Sequence, residues 1–408
     1  MARPDIQAGS PFCTHITAQA MTTVLILFWI CAAVVFYTFF GYGIIIWIAV
    51  KIKELFSKPA AFPVKEEFPH VSLLIAAYNE ADIIAEKMQN CLSLEYPSDK
   101  LHIVWVTDGS TDGTAEKLSE YPQNTVLHSP ERCGKTAALN RAMKYIDTEY
   151  VIMTDANTAL NKESIYLIVR KFDNPKVGCV AGEKKVVAEG GSAAATEGLY
   201  WKYESFLKDL DDRLNSAMGA AGELIALRRE LWCDIPDGTL GDDMLISMGV
   251  LRKGYKIAYC KEAYASEKPS ADIREERKRK IRLAGCAMQN VVALRDLMNP
   301  FKYGLTAFQF LSHRVLRWVL TPTCIILMLI FNIAAVLMGA AIFYQVILAL
   351  QILFYLSALA GMLLDKKEKA GPLRIPYYFL FTNFSTFAGI GYLKNQKGSG
   401  AWEKARRK

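Results

Sequence analysis

Two stretches of this chain carry no formal charge, and they restrict its fold more than any other feature. Between Ile6 and Val50 there is no Asp, Glu, Lys or Arg, and Trp318 to Leu364 is a further 47 residues without one. A helix crosses the roughly 30 Å hydrocarbon layer in about 20 residues, so the dense apolar part of the first stretch, Met21 to Val50, predicts one membrane span. It is too long for the apolar core of a cleaved signal, which predicts a retained anchor. As one helix the second stretch would measure about 70 Å at 1.5 Å per residue, twice the bilayer. It is expected to fold into two spans, turning near Gly339 and Gln345. Ile375 to Leu393, interrupted by Asn383, Ser385 and two glycines, is a weaker segment that either spans or re-enters. A hydrophobic content of 52% with 22% charged residues and a mean hydropathy of +0.14 agrees with a chain partly in lipid and excludes intrinsic disorder.

The net charge of +7 sits mainly beside these apolar segments. Arg274 to Arg282 holds six basic and two acidic side chains, and Lys394 to Lys408 six basic and one acidic. That placement suits lipid headgroups or a polyanionic substrate, and no nucleic-acid partner is expected. Lys51, Lys53 and Lys58 after the first span, with Lys366, Lys367 and Lys369 after the third, put the large middle region in the cytoplasm by the positive-inside rule. Four spans leave the basic tail outside; a re-entrant last segment leaves it inside. Apolar and basic residues alternate from Tyr303 to Trp318, which suits either an interfacial helix or an amphipathic packing helix. The nine cysteines are scattered, without CxxC or Cys/His spacing, so neither a disulfide framework nor a zinc site is expected.

From Val71 to about Tyr264 short apolar runs alternate with helix-periodic segments, the pattern of an α/β domain with a mostly parallel sheet. Val71 to Ala77, Leu101 to Thr107, Tyr150 to Thr154 and Val177 to Val180 read as strands, and Ala81 to Leu94 and Gly134 to Ile146 as helices. The expected layout is an N-terminal segment (1–20), a transmembrane helix (21–50), a linker (51–68) and a nucleotide-binding domain (69–300). An amphipathic helix (301–317), two transmembrane helices (318–364), a last transmembrane or re-entrant helix (370–393) and a basic tail (394–408) follow.

Ligands of such sheets sit beyond the carboxyl ends of the strands. Here those ends read Tyr78-Asn79-Glu80, Asp108-Gly109-Ser110-Thr111-Asp112-Gly113 and Asp155-Ala156-Asn157. One Asp after a strand is ordinarily a turn or cap residue; three such ends in successive units point to a shared site. Familiar alternatives fail on their residues. Gly134-Lys135-Thr136 lacks the P-loop's first glycine, since position 129 is Ser, and no Gly-x-Gly-x-x-Gly follows the first strand. Ser110 has no nucleophile elbow. ATPase, dinucleotide dehydrogenase and serine hydrolase chemistry are disfavoured.

What the acidic loops can do is hold a cation and move a proton. Asp155 and Asn157 offer two oxygen ligands from one turn, enough for Mg2+ or Mn2+ that also touches a diphosphate. The cation would neutralise charge on a departing nucleoside diphosphate. Gly241-Asp242-Asp243 opens a helix-periodic segment. Capping accounts for one aspartate; the second is left for a general base that deprotonates an acceptor hydroxyl as it attacks a sugar carbon.

Val71 to Glu80 (VSLLIAAYNE), Trp105 to Thr114 (WVTDGSTDGT), Gly134 to Asn140 (GKTAALN), Thr154 to Asn157 (TDAN) and Gly241 to Asp243 (GDD) come in this order between apolar segments. Together they resemble the membrane-integrated, inverting family 2 glycosyltransferases, the group of poly-N-acetylglucosamine, chitin-oligosaccharide, hyaluronan and cellulose synthases. The resemblance implies a GT-A fold, a UDP-sugar donor, a lipid or growing glycan acceptor, a divalent cation and the bacterial plasma membrane, with membrane lipids and possibly further subunits as partners. By position it implies Tyr78 and Glu80 near the nucleoside, Asp108 on the uracil, Lys135 in the Gly-Lys motif, Asp155 as the first metal aspartate and Asp243 as base beside Asp242. Gly222 to Arg229 would line the acceptor end. Thr107 and Asn157 depart from the family's aspartates. Of Gln-x-x-Arg-Trp the segment Arg279-Lys280-Ile281-Arg282-Leu283 keeps only the arginine, with Arg279 and Arg282 left to meet diphosphate or acceptor. The missing tryptophan removes a stacking platform for an acceptor sugar and leaves processive synthesis and single addition both open. A non-catalytic nucleotide-sugar-binding partner of an exopolysaccharide complex is the alternative of a different class.

Overall fold

The structure, a computed structural model of the chain, describes residues 11–57, 62–63, 67–186, 192–267, 273–365 and 371–395. Lys58, the Lys366 to Lys369 link and the tail beyond 395 lie outside the described residues. The chain divides into two compact units, Met1–Tyr42 with Leu316–Phe384, and Gly43–Val315 with Ser385–Lys408.

The first unit is helical. Pro11–Phe36 packs along Thr321–Leu337, which is followed by Ile342–Asp365. Its polar side chains find partners between helices: Thr321 donates to Thr38 (2.9 Å), Asn332 to Gln351 (2.8 Å) and the Trp29 indole to the Tyr344 hydroxyl (3.1 Å). Among the described residues three helices are long and apolar enough to cross a membrane: Ala18–Phe56, Leu305–Leu337 and Ile342–Leu364. The last described helix, Arg374–Asn395, has 22 residues and does not reach that hydropathy.

The second unit holds an eight-stranded sheet. Its strands are β1 (Val71–Ala77), β2 (Leu101–Thr107), β3 (Asn124–Leu127), β4 (Tyr150–Asp155), β5 (Thr158–Leu160), β6 (Val177–Val186), β7 (Ile225–Arg228) and β8 (Lys256–Glu267). They lie in the order β3-β2-β1-β4-β7-β6-β8-β5. The β1–β2, β1–β4, β2–β3 and β6–β8 pairs are parallel, whereas β7 runs antiparallel to β4 and β6, and β5 antiparallel to β8. The mostly parallel sheet covered by helices is therefore present, in mixed form. β1 is buried along nearly its whole length, as expected for a central strand with helices on both faces. Trp105, Tyr150, Phe172 and Met88 are fully buried in the core around it. β6 outruns the expected Val177 to Val180 because its second half pairs with β8 past a register shift at Gly182.

Register decides where the chemistry lies. Ala77 stands opposite Thr107 and Ala76 opposite Asp155, so the three central parallel strands end together and deliver Tyr78, Asp108 and Asp155 to one edge of the sheet. Chain order reverses between β1 and β4, the position at which such sheets open a crevice.

Candidate active site

The first two strand-end loops are laced together. Asn79, in a left-handed conformation (φ 54°), accepts from the Thr111 N–H (2.8 Å), and its own N–H donates to the Ser110 hydroxyl (3.1 Å). The Glu80 and Ala81 N–H groups donate to Thr114 (2.9 Å) and Asp112 (3.0 Å). Ser110, Asp112 and Thr114 thus act as turn builders that fix Tyr78 and Glu80 against the β2 loop.

Asp108 is 5% exposed, and its carboxylate accepts from the backbone N–H groups of Cys133 (3.1 Å) and Gly134 (2.6 Å). Two glycines permit this. Gly134 (φ 95°) turns the chain into the Lys135–Met143 helix, and Gly109 (φ 66°) lies so close to Arg132 that a Cβ there would stand 2.6 Å from the Arg132 Cβ. The Arg132 guanidinium stacks over the Tyr78 ring, 3.8 Å from its centroid. Tyr78, Asp108, Arg132, Gly134 and Lys135 line one recess.

A second recess shares Lys135 and Ala76 with the first and is bordered by Thr154, Gly222, Asp242 and Asp243. Lys135 Nζ is 2.8 Å from Asp155 Oδ1 and 3.7 Å from Asp242 Oδ2. Burial works against its charge, but Asp155, Asp242 and Asp243 outweigh burial and hold the ammonium firmly protonated. Asp243 lies in the first turn of the Asp242–Arg252 helix, where its carboxylate accepts from the Met244 N–H (2.8 Å) and the Gly222 N–H (3.1 Å). Burial, then repulsion from Asp242 and Glu223, pushes its pKa up to about 6 against the opposing pull of Lys135. Glu223 is held down to about 2: burial would raise it, but Lys184 and Arg279 prevail.

Of the residues singled out in the sequence, Tyr78, Asp108, Lys135, Asp155, Asp242 and Asp243 line this continuous cleft or contact its lysine. Glu80 sits on the laced loop at its margin. Arg279 reaches the site through the field it exerts on Glu223 and also pairs with Glu276 at 3.4 Å. Arg282 lies beside Cys286 on the same Ile273–Ala293 helix. Thr107, in place of a family aspartate, is fully buried and bonded to His128 Nδ1 (2.8 Å).

Asn157 follows Asp155 on the turn into β5, half-buried. Both offer the hard oxygen donors that Mg2+ or Mn2+ takes. Among the described residues no three acidic, His or Cys groups cluster, so a cation there would draw its other ligands from substrate phosphates and water. The donor set fits such an ion. Beneath it Lys87, 2% exposed, donates to the Thr158 carbonyl (2.7 Å), and burial brings its pKa down to about 8.

Arg132, Glu223 and Gly222 escaped the sequence reading as site residues with roles of their own. Arg132 is a lone basic residue in a polar loop, and only the close approach at Gly109 places it over Tyr78. Glu223 stands inside the acceptor-end motif and carried a signal: an acid leading into an apolar strand, where burial demands a partner.

A family model described as glycosyltransferase-like family 2 matches residues 69–285. The chain belongs to this family. The matched residues include the strand-end loops and the Gly241-Asp242-Asp243 turn that border the cleft. Among curated relatives, a poly-beta-1,6-N-acetyl-D-glucosamine synthase from Staphylococcus epidermidis is 34% identical over 153 residues, 35% of this chain and 37% of that protein. One from Staphylococcus aureus is 26% identical over 205 residues, 48% of each chain. The matches thus span less than half the length of these relatives. A mannosyltransferase of Pyrobaculum calidifontis, solved with GDP-Man and Mn2+, superimposes with a TM-score of 0.68 at 24% identity, over 91% of this chain and 99% of that one. It shows the family's GT-A fold in this chain.

Proposed function

We propose that this chain transfers a hexose or N-acetylhexosamine from a UDP-sugar to a membrane-associated glycan or lipid acceptor, with inversion, in extracellular or capsular polysaccharide synthesis. The carrying observation is Asp243, a half-buried carboxylate raised to about 6 in the cleft that Lys135 shares with the strand-end loops. At neutral pH it is mostly ionised yet more basic than an ordinary aspartate, as a general base requires. It takes the proton of the acceptor hydroxyl while that oxygen bonds to the anomeric carbon from the face opposite the diphosphate; the glycosidic bond to UDP breaks and UDP leaves with the bonding pair.

The recess at Tyr78, Asp108 and Arg132 takes the nucleoside, with the Tyr78 ring as platform and the Asp108 carboxylate beside the base. Lys135 meets the diphosphate side. Asp155 and Asn157 would hold Mg2+ or Mn2+, which stabilises negative charge on the leaving diphosphate. Arg279 and Arg282 are assigned to diphosphate or acceptor. The names of the relatives favour N-acetylglucosamine as the sugar. The three apolar helices and Lys51 and Lys53 at the C-terminal end of the first favour a bacterial plasma membrane enzyme with its catalytic domain cytoplasmic.

The test is nucleotide release by detergent-purified protein on a panel of UDP-sugars and GDP-mannose, with Mg2+, Mn2+ or chelator, with product size and anomeric configuration read from the glycan. Turnover with a UDP-sugar, cation-dependent, inverting and abolished in Asp243→Asn, is expected. A retained configuration, or full transfer by Asp243→Asn, overturns the mechanism; exclusive use of GDP-mannose overturns the donor.

A further inference from the structure

Gly222, which donates to Asp243, ends a buried connection between the Ser192–Leu214 helix and β7. Ser216, Ala217 and Met218 are at most 1% exposed. At its start the Ala217 N–H donates to the Ile257 carbonyl (3.0 Å) and Ser216 Oγ accepts from the Ile257 N–H (2.9 Å); beyond it the connection is held at two further points. Ala220 N–H donates to Ser247 Oγ (3.1 Å), whose hydroxyl donates to the Asp243 carbonyl (2.7 Å), and Arg314 Nε donates to the Met218 carbonyl (2.7 Å). Arg314 is 8% exposed, and its Nη1 is 2.6 Å from Glu204 Oε1. Next to it His313 is 1% exposed, its Nδ1 2.5 Å from Asp211 and its Nε2 3.4 Å from Glu204. Gln309 completes the set by donating to the Asp211 carbonyl (2.9 Å).

Taking a guanidinium, an imidazole and two carboxylates out of water is costly, and apolar packing would serve simple cohesion as well or better. A bidentate guanidinium bridging a carboxylate and one chosen carbonyl instead fixes backbone position sharply. Here the carbonyl lies four residues before the N–H that orients the base.

We propose that Arg314, held by Glu204, is a positioning residue of the transferase: through the Met218 carbonyl it sets residues 218–222, and so the Gly222 N–H, against the Asp243 carboxylate. The inference rests on Asp243 as the base. The charged and titratable groups facing Asp243 are Asp242 on its own helix, Glu223 beside Gly222, Lys135 from the Lys135–Met143 helix and Cys286 from the Ile273–Ala293 helix. None belongs to the Arg314 set, so disturbing Arg314 acts on Asp243 through the connection. The Gly222 N–H stabilises the ionised carboxylate; loosening it moves the acidic limb of activity to higher pH.

The experiment is the pH profile of kcat/KM for Arg314→Lys, Arg314→Gln and Glu204→Gln beside wild type and Asp243→Asn, with UDP affinity by calorimetry. Arg314→Lys keeps the charge but cannot bridge Met218 and Glu204 together. It is expected to move the acidic limb up by about half a unit to one unit, with UDP affinity within about twofold. Arg314→Gln should move it at least as far. An acidic limb unmoved in folded Arg314→Lys overturns the relay even if total activity falls. Should neither Arg314 variant fold, Glu204→Gln, which loosens the Arg314 guanidinium without touching the Asp243 helix, decides: a limb moved up supports the relay and an unmoved limb overturns it. Turnover by Asp243→Asn is a different failure, removing the base assignment and the relay with it.

Discussion

Lys135 Nζ lies 2.8 Å from Asp155 Oδ1 and is shared with Asp242, so one ammonium neutralises two carboxylates brought from separate elements. Lys135→Met takes away the cation that Asp155 and Asp242 share, and because the pair is only partly buried the loss is about 1–3 kcal/mol. The variant is expected to lose that order of stability by thermal unfolding, with turnover falling more than about 100-fold. A Tm within one degree of wild type would show that the carboxylates do not depend on this lysine.

As the proposed base, Asp243 is expected to govern the acid side of the pH profile. With its pKa at about 6, kcat/KM is expected to fall roughly tenfold per unit below that pH. The stability effect has the opposite sign from the usual aspartate. Its folded pKa is raised above the unfolded value of about 3.9, so the folded state binds more protons in between, and stability declines as pH rises from about 4 to 6. Asp243→Asn should therefore be inactive yet more stable at pH 7, by about 1–2 kcal/mol. Chemical denaturation at pH 4 and pH 7 checks both signs.

Arg132 over Tyr78 is a cation–π contact worth about 0.5–2 kcal/mol. Arg132→Ala is expected to weaken UDP binding by about 3- to 30-fold, measured by calorimetry, while kcat at saturating donor changes little. A lower kcat at unchanged affinity would move Arg132 from nucleoside recognition to the chemical step.

Gly109 combines φ 66° with a Cβ position 2.9 Å from the Arg132 backbone. Gly109→Ala is expected to cost about 1–3 kcal/mol and to raise donor KM by displacing Arg132. Gly113, also at positive φ but with open space around its Cβ, is the control: Gly113→Ala should lose stability but leave donor KM unchanged.

The central strands were legible because each is a continuous apolar run ending in a polar turn: β1 and β2 begin and end where their patterns do. β7 was legible only through the family resemblance of Gly222 to Arg229, because four residues ending in arginine, paired antiparallel on both sides, carry no local mark of partner or direction. β8 was hidden by its Lys261 and Glu262, which interrupt an otherwise apolar strand where its register with β6 shifts. In the cleft, Asp108, Asp155 and Asp243 declared themselves as acids at element ends. Arg132, Gly222 and Arg314 act through geometry: a stack, a single N–H and a contact across 96 residues of chain, none with a local signature. Within 301–317 the alternation read from sequence is real, but Gln309, His313 and Arg314 turn into protein, satisfied by Asp211, Glu204 and Met218.

The shared lysine also sets a rule for recombination. The loops proposed to receive the nucleotide are complete by Asp155, whereas the proposed base arrives later with Gly222 and Asp243, so the chain invites chimaeras joined between the two. Lys135 belongs to the earlier half but is matched to an aspartate of the later one. A graft that carries foreign acceptor elements without an acid at position 242 would inherit an unmatched cation, and one that brings the acid to a donor half lacking the lysine would inherit the reverse. The pair is the seam along which parts from different members of the family must be cut together.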